Sequence, residues 1–270
     1  NFTPDHLERH GGIGGYYAAK KRLFIAGCPD HSVIGVDEFE GNLLAQELAD
    51  HLHDDSIIRV SGSRKINNLG WTVFANKGFL SEYRRGKQVA SLDLRNCNSL
   101  KGSHNHQNIC AAYAAVRTLG IGPRSVEKAL KSFRGLAHRS QLVTEINGVV
   151  FINDSKATNV DSAMKALETF PKIRWICGGE QKEEDISRLN NALTNVEKAY
   201  VIGTNAAKFS SQISCKFEVC NTMDIAVKNA FNDAKDGETV LLAPAAASFD
   251  QYSSFEERGR AFECEINKLI

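Results

Sequence analysis

The run Asn153-Asp154-Ser155-Lys156-Ala157-Thr158-Asn159 places a carboxylate, a cation, two hydroxyls and two amides within seven residues. Such a set can cradle a phosphate or a carboxylate: the cation offsets the charge, and the hydroxyls, amides and nearby backbone N–H groups orient it. The apolar run Val149-Val150-Phe151-Ile152 before it reads as a buried strand. That strand delivers the polar residues to the carboxyl edge of a sheet, where open α/β folds bind ligands. Thr158 or Asn159 can also cap a helix beginning near Val160, and capping alone is the plain alternative for this loop. Lys182 follows Gly178-Gly179 at the end of a second apolar strand, and Ser248 follows a third that ends at Ala243. Both therefore reach the same edge as Lys156.

Other stretches carry chemistry of their own. His104-Asn105-His106-Gln107-Asn108 opens an Ala-rich helix, where unpaired N–H groups and side-chain amides can meet a purine edge; helix capping is the alternative. Arg139 suits two-pronged contact with a phosphate, with a structural salt bridge as the alternative, and Asp154 can accept from ribose hydroxyls. Lys20 closes the turn Tyr17-Ala18-Ala19-Lys20 beside Lys21, and spacing alone does not choose between two solvated lysines. His6 and His10 have the i, i+4 spacing of a helical zinc pair, though no further Cys or His stands near them in sequence. No stretch fits G-x-x-x-x-G-K-[ST], the loop that wraps nucleotide phosphates; Gly86-Lys87 is followed by Gln88.

The elements that must position these residues follow from hydrophobic periodicity. A helix is expected over 16–24, a short buried strand over 32–36, an acidic amphipathic helix over 38–53 and a strand over 56–60. Residues 71–94, with Gly78 and Gly86 as turn points, read as antiparallel hairpins on the margin of that sheet, followed by helices over 105–119 and 125–132. Residues 133–139 form the expected linker, because Gly135 interrupts a helix and a strand pattern starts at Gln141. Beyond it lies a hairpin with an Asn147-Gly148 turn. Strands over 173–178, 199–203, 216–219 and 239–243 then alternate with helices over 160–169, 186–193, 206–212, 224–234 and 255–268, as in a wound parallel sheet.

At 270 residues the chain suits two domains, each able to bury its own core. Its 33 basic and 32 acidic residues create no overall field for nucleic acid or an anionic membrane. The seven cysteines lack C-x-x-C spacing and read as reduced thiols of a cytosolic protein. No apolar stretch approaches the ~20 residues that span a bilayer.

The polar run at 153–159 resembles a word of the Mur ligases. So do Asn1-Phe2-Thr3-Pro4-Asp5-His6, Tyr17-Ala18-Ala19-Lys20, 104–108, Gly135-Leu136-Ala137-His138-Arg139, Gly178-Gly179-Glu180-Gln181-Lys182 and 243–251, in the family's order along the whole chain. Asp-Ser-Lys stands where sister ligases carry a Tyr-centred word, so the resemblance points to the branch that joins D-glutamate to UDP-N-acetylmuramoyl-L-alanine in peptidoglycan synthesis. Glu180 stands for an expected Asp, and Ala246 for a frequent Cys. The resemblance implies an α/β fold: a partial central ATP-binding domain with an antiparallel margin over 1–136, then a Rossmann-like carboxyl-terminal domain over 137–270. In the family the phosphate-wrapping loop and a uridine-nucleotide domain precede the word at Asn1, so the chain reads as amino-truncated and inactive alone.

The resemblance further implies ATP and Mg2+ as cofactors, with His6 and a carbamylated Lys20 holding the metal and Lys156 countering charge near the reacting groups. It assigns Asn105, Asn108, Arg139 and Asp154 to ATP, and Lys182, Thr158, Ser248 and Phe255 to D-glutamate. A cytoplasmic monomer with no nucleic-acid polymer as partner is expected. Two alternatives stay open: a non-catalytic fragment that binds D-glutamate or nucleotide, and a folylpolyglutamate synthase-like ligase, which shares the architecture without the Asn-Asp-Ser-Lys word.

Overall fold

The computed structural model describes residues 1–2, 7–26, 29–51, 56–97, 100 and 102–270. The chain divides into two compact units, Asn1–Phe133 and Arg134–Ile270, with the break three residues before the expected boundary at 136/137.

The first unit runs α1 (Leu7–His10), α2 (Ile13–Ile25), β1 (Ser32–Gly35), α3 (Phe39–Ala49), β2 (Ile57–Ser61), β3 (Trp71–Asn76), β4 (Phe79–Arg84), β5 (Lys87–Asp93), α4 (Ser103–Thr118) and α5 (Pro123–Ser132). Its five-stranded sheet has the order β1-β2-β3-β4-β5. The antiparallel hairpins expected over 71–94 are present, β3 with β4 and β4 with β5, and β3 joins them to the parallel part of the sheet by lying parallel to β2. Every residue of β2 is buried, since α3 packs Leu44, Ala45 and Leu48 against Ile34 and Ile57 while α4 brings Ile109, Tyr113 and Ala114 to Ile58, Val60 and Val73. With both faces covered, even the polar residues of β2, Arg59 and Ser61, are buried.

The second unit holds β6 (Gln141–Ile146), β7 (Val149–Asn153), α6 (Val160–Thr169), β8 (Ile173–Gly178), β9 (Val196–Ile202), α7 (Ala206–Ser210), β10 (Phe217–Asn221), α8 (Met223–Asp233), β11 (Thr239–Leu242) and α9 (Phe255–Asn267). The sheet order is β10-β9-β8-β11-β7-β6, parallel throughout except where β6 pairs antiparallel with β7. Asn147 and Gly148 close that hairpin with φ of 51° and 76°, the two positive angles that match the twist of the flanking strands. Successive strand residues point to opposite clusters: Ile152, Trp175, Val201 and Leu241 meet α6 and α7, whereas Phe151, Ile176, Tyr200 and Leu242 meet α8 and α9.

The helix expected over 186–193 is a 3-10 helix, Ser187–Asn195, with Ile186 as its N-cap. Leu189 and Ala192 are both buried three residues apart, which three residues per turn satisfies. Asn190 pulls the chain the same way, donating from Nδ2 to Gln212 O at 3.0 Å and accepting from Ser214 N at 2.8 Å. Side-chain amides that bond outside the helix weaken its α-helical preference.

Both hydrophobic clusters of the second unit are drawn from its own residues, and each fully buried large apolar side chain stabilises by ~1.5–3 kcal/mol. A fragment spanning Arg134–Ile270 is therefore expected to fold cooperatively by itself. Circular dichroism through a thermal melt checks this, and a fragment without a cooperative transition contradicts it.

Candidate functional site

The parallel strands of the second unit end together, and the loops that follow β7, β8 and β11 meet at that edge. Hydrogen bonds between loops hold the meeting. Ala245 N donates to Ala157 O at 2.9 Å, Gly178 N to Pro244 O at 2.9 Å, and Glu180 and Ala247 exchange backbone bonds of 3.0 and 2.9 Å. The ends of β8 and β9 lie so close that a Cβ on Gly203 would stand 2.6 Å from Gly179 Cα, and one on Gly179 would stand 2.4 Å from Ala247 O. Only glycine fits there, and the φ of Gly179, 130°, would strain any other residue.

Beneath the loops lies Arg258, 1% exposed. Its Nε donates to Ser155 Oγ at 3.0 Å, Nη2 to Ser155 O at 2.9 Å, and Nη1 to both Ala246 O and Ala247 O at 3.1 Å. Burial lowers its pKa to about 10, against an opposing pull from Asp250. Asn153 makes a second tie: its Oδ1 accepts from Ser155 N at 3.1 Å, while Nδ2 donates to Gly259 O at 3.0 Å and Glu263 Oε1 at 2.8 Å and lies 3.0 Å from His138 Nδ1. Ser155 Oγ in turn donates to Phe255 O at 2.8 Å. The polar word after β7 is thus bound to the start of α9, about a hundred residues away in sequence.

On this frame, Lys156 Nζ lies 4.0 Å from the centroid of the Phe255 ring, and Lys156 N donates to His138 O at 3.1 Å. Thr158 is half-buried and Ser248 buried. Asn159, rather than Thr158, caps α6 by accepting from Ser162 N at 2.9 Å. Asp154 accepts from Ser140 Oγ at 3.4 Å. Burial pushes its pKa up to about 6, in spite of the hydrogen bonds from Ser140 and the attraction of Arg139, which is exposed. Lys182 is exposed on the loop after β8; among the described residues no hydrogen bond or ion pair ties it to Lys156, Thr158 or Ser248.

In the first unit, Asn105 is half-buried and Asn108 exposed on the first turns of α4. Asp37, which the sequence reading passed over, organises their surroundings: it accepts from Gln107 Nε2 at 2.8 Å, Gly62 N at 2.7 Å, Ser61 Oγ at 2.5 Å and Ser63 Oγ at 3.0 Å. An acid directly after the buried strand Val33-Ile34-Gly35-Val36 was the signal available. Lys21 pairs with Glu47 at 2.7 Å, whereas Lys20 Nζ donates to Asn1 O at 3.2 Å and lies 4.7 Å from the centroid of the Tyr16 ring.

Residues 1–116 match the Mur ligase middle domain, and residues 138–246 match the glutamate ligase domain of Mur ligases. The chain belongs to the Mur ligase family. It is 59% identical over 270 residues to the UDP-N-acetylmuramoylalanine–D-glutamate ligase of Ruegeria pomeroyi and 57% identical to that of Roseobacter denitrificans, covering 100% of this chain and 58% of each relative. The chain thus spans somewhat over half the length of these curated relatives. A pseudomurein peptide ligase type C from Methanothermus fervidus superposes with a TM-score of 0.69 at 16% identity, covering 99% of this chain and 62% of the other, a likeness of fold.

The resemblance gives a magnesium ion to His6 and Lys20 of the middle domain. Mg2+ asks for hard oxygen ligands in near-octahedral array. Among the described residues no group of three His, Cys, Asp or Glu side chains could hold a metal, and Lys20 presents an amine that donates. His6 lies outside the described residues, and with it the zinc alternative involving His10.

Asp154 sets a pH dependence. Its folded pKa of about 6 exceeds the ordinary 3.8, so the folded Mur ligase chain binds the proton more tightly, and the resulting stability is present at low pH and lost as pH rises through that window. In Asp154→Asn this loss is absent. The melting temperature of the variant relative to the parent is expected to be highest near pH 7.5 and to fall toward about pH 4.5; a difference independent of pH would contradict the burial of this carboxyl.

Proposed function

We propose that this chain supplies the amino-acid-binding part and much of the ATP-binding part of a cytoplasmic ligase that joins D-glutamate to UDP-N-acetylmuramoyl-L-alanine. The observation that supports it best is the convergence of the loops after β7, β8 and β11, which carry Lys156 and Thr158, Lys182, and Ser248, at one sheet edge. The 59% identity to a D-glutamate ligase over the whole chain supports the choice of amino acid.

In this reaction the L-alanine carboxylate oxygen attacks the γ-phosphorus of ATP and ADP leaves, giving an acyl phosphate. The D-glutamate amine then attacks the acyl carbon, phosphate departs with the C–O electron pair, and the amine loses a proton. Negative charge gathers in both steps, and fixed cations and oriented donors lower the barrier by offsetting it. In the proposed assignment Lys156 sits nearest the reacting groups, held in place by the Phe255 ring and the bond from its own N–H to His138 O. Lys182, Thr158, Ser248 and the backbone of Phe255 take the two carboxylates of D-glutamate. Arg139 and Asp154 take the nucleotide-contacting roles of the second unit, and the nucleotide roles of Asn105 and Asn108 rest on the resemblance alone. The metal roles of His6 and carbamylated Lys20 rest on the resemblance alone.

The test is direct titration. The chain is expected to bind D-glutamate in preference to L-glutamate, and Lys182→Ala to weaken that binding at least ~10-fold, since a charge-assisted hydrogen bond contributes ~1.5–3 kcal/mol. ATP affinity should stay the same. Calorimetry with each ligand separates the roles: an unchanged D-glutamate constant beside a weakened ATP constant would move Lys182 to the nucleotide.

A further inference from the structure

Every hydrogen bond that Arg258 makes among the described residues ends on an uncharged oxygen: Ser155 Oγ, Ser155 O, Ala246 O and Ala247 O. It enters no ion pair there, and the Asp250 carboxylate that attracts it is itself bonded to Thr204 N at 2.9 Å. Keeping a guanidinium 1% exposed without a paired carboxylate is costly. Tying loops together does not require that cost, because neutral donors bond carbonyls as well. The position of the charge suggests its use. The oxygens it holds belong to the segments that carry Lys156, Thr158 and Ser248, and Nη1 lies 3.3 Å from where a Cβ on Gly179 would stand, at the start of the loop that carries Lys182. In such a water-poor place a fixed charge acts strongly on an anion lodged nearby.

We infer that Arg258 is a positioning and selectivity residue for the amino-acid site: its buried charge, unpaired among the described residues, is balanced by the second carboxylate of a bound dicarboxylic amino acid, through the Ser155 and Ala246-Ala247 segments rather than by contact. This rests on the D-glutamate reading above. It follows that Arg258 separates D-glutamate from D-glutamine, which has nearly the same shape and one negative charge fewer.

The 270-residue chain and its variants Arg258→Met, Arg258→Gln and Arg258→Lys are titrated with D-glutamate and D-glutamine by calorimetry, with folding followed by circular dichroism. The parent is expected to prefer D-glutamate. The two neutral variants should lose about tenfold of that preference and Arg258→Lys should recover it to within about threefold, although lysine cannot reproduce the forked bonds. A residue that only clamps loops would weaken both ligands alike, leave their ratio unchanged and gain nothing from lysine; that result overturns the inference. If neither neutral variant folds, Arg258→Lys decides alone, a kept ratio supporting the role of charge and a collapsed ratio overturning it. A parent chain that binds neither ligand, or prefers D-glutamine, removes the D-glutamate reading and this inference with it. A parent preference that survives in folded Arg258→Met removes the inference only.

Discussion

The buried fork of Arg258 is the constraint on which the carboxyl edge of the second unit depends. Two loops leave neighbouring strands there and bury the carbonyls of Ser155, Ala246 and Ala247, the last of which also accepts from Glu180 N; a buried carbonyl without a donor is costly. One planar guanidinium supplies donors to Ser155 O, Ala246 O and Ala247 O at once and adds a bond to Ser155 Oγ. The side chain comes from α9, so the helix that ends the chain also fixes the loops after β7 and β11. Ser254 makes this possible at the other end of the same turn, capping α9 by accepting from Glu257 N at 3.2 Å.

Around that fork the edge is assembled by near contact of backbones rather than by bulky packing. Gly178, Gly179 and Gly203 let the ends of β8 and β9 touch, and Trp175 Nε1 donates to Ala243 O at 2.8 Å, pinning the end of β11 from within the core. Buried polar groups with as many bonds as Arg258 and Asn153 make rigidify their surroundings, because any displacement breaks several of them. Polar side chains such as Lys156 and Ser248 thus rise from a floor whose geometry is already determined, which is what recognition of a small, charged amino acid demands.

Much of this fold was legible in the sequence because its strands are buried on both faces. Val149 to Ile152, Ile173 to Gly178 and Thr239 to Leu242 read as mainly apolar runs between polar loops, Arg174 and Thr239 being the exceptions, and the Asn147-Gly148 pair announced its turn. The word at 153–159 was legible as a candidate site because it puts five hydrogen-bonding side chains besides Lys156 directly after a buried strand; three of them have structural tasks, Asn153 and Ser155 in the ties to α9 and Asn159 as the cap of α6. Arg258, Asn153 as a tie and Asp37 were not legible. Their partners lie up to 103 to 110 positions away, and a pairing of that range depends on which strands become neighbours, which no local pattern records. The 3-10 form of Ser187–Asn195 was not legible because burial at Leu189, Ala192 and Leu193 suits a period of three as readily as 3.6. What distinguishes the two is the outward bonding of Asn190, again a tertiary fact.

The order β10-β9-β8-β11-β7-β6 carries a consequence for how the chain acquires its form. β11 is the last strand in sequence and yet lies between β7 and β8, so the halves β6-β7 and β8-β9-β10 cannot join until residues 239–242 arrive between them. Until residues 239–242 are in place, β7 and β8 therefore each hold an unpaired strand edge, a state that invites pairing with other chains. Its closing event, the insertion of β11 and the docking of α9, is also the event that builds the ligand edge. Completion of folding and competence to bind are then one transition, and a chain that stops short of α9 loses both.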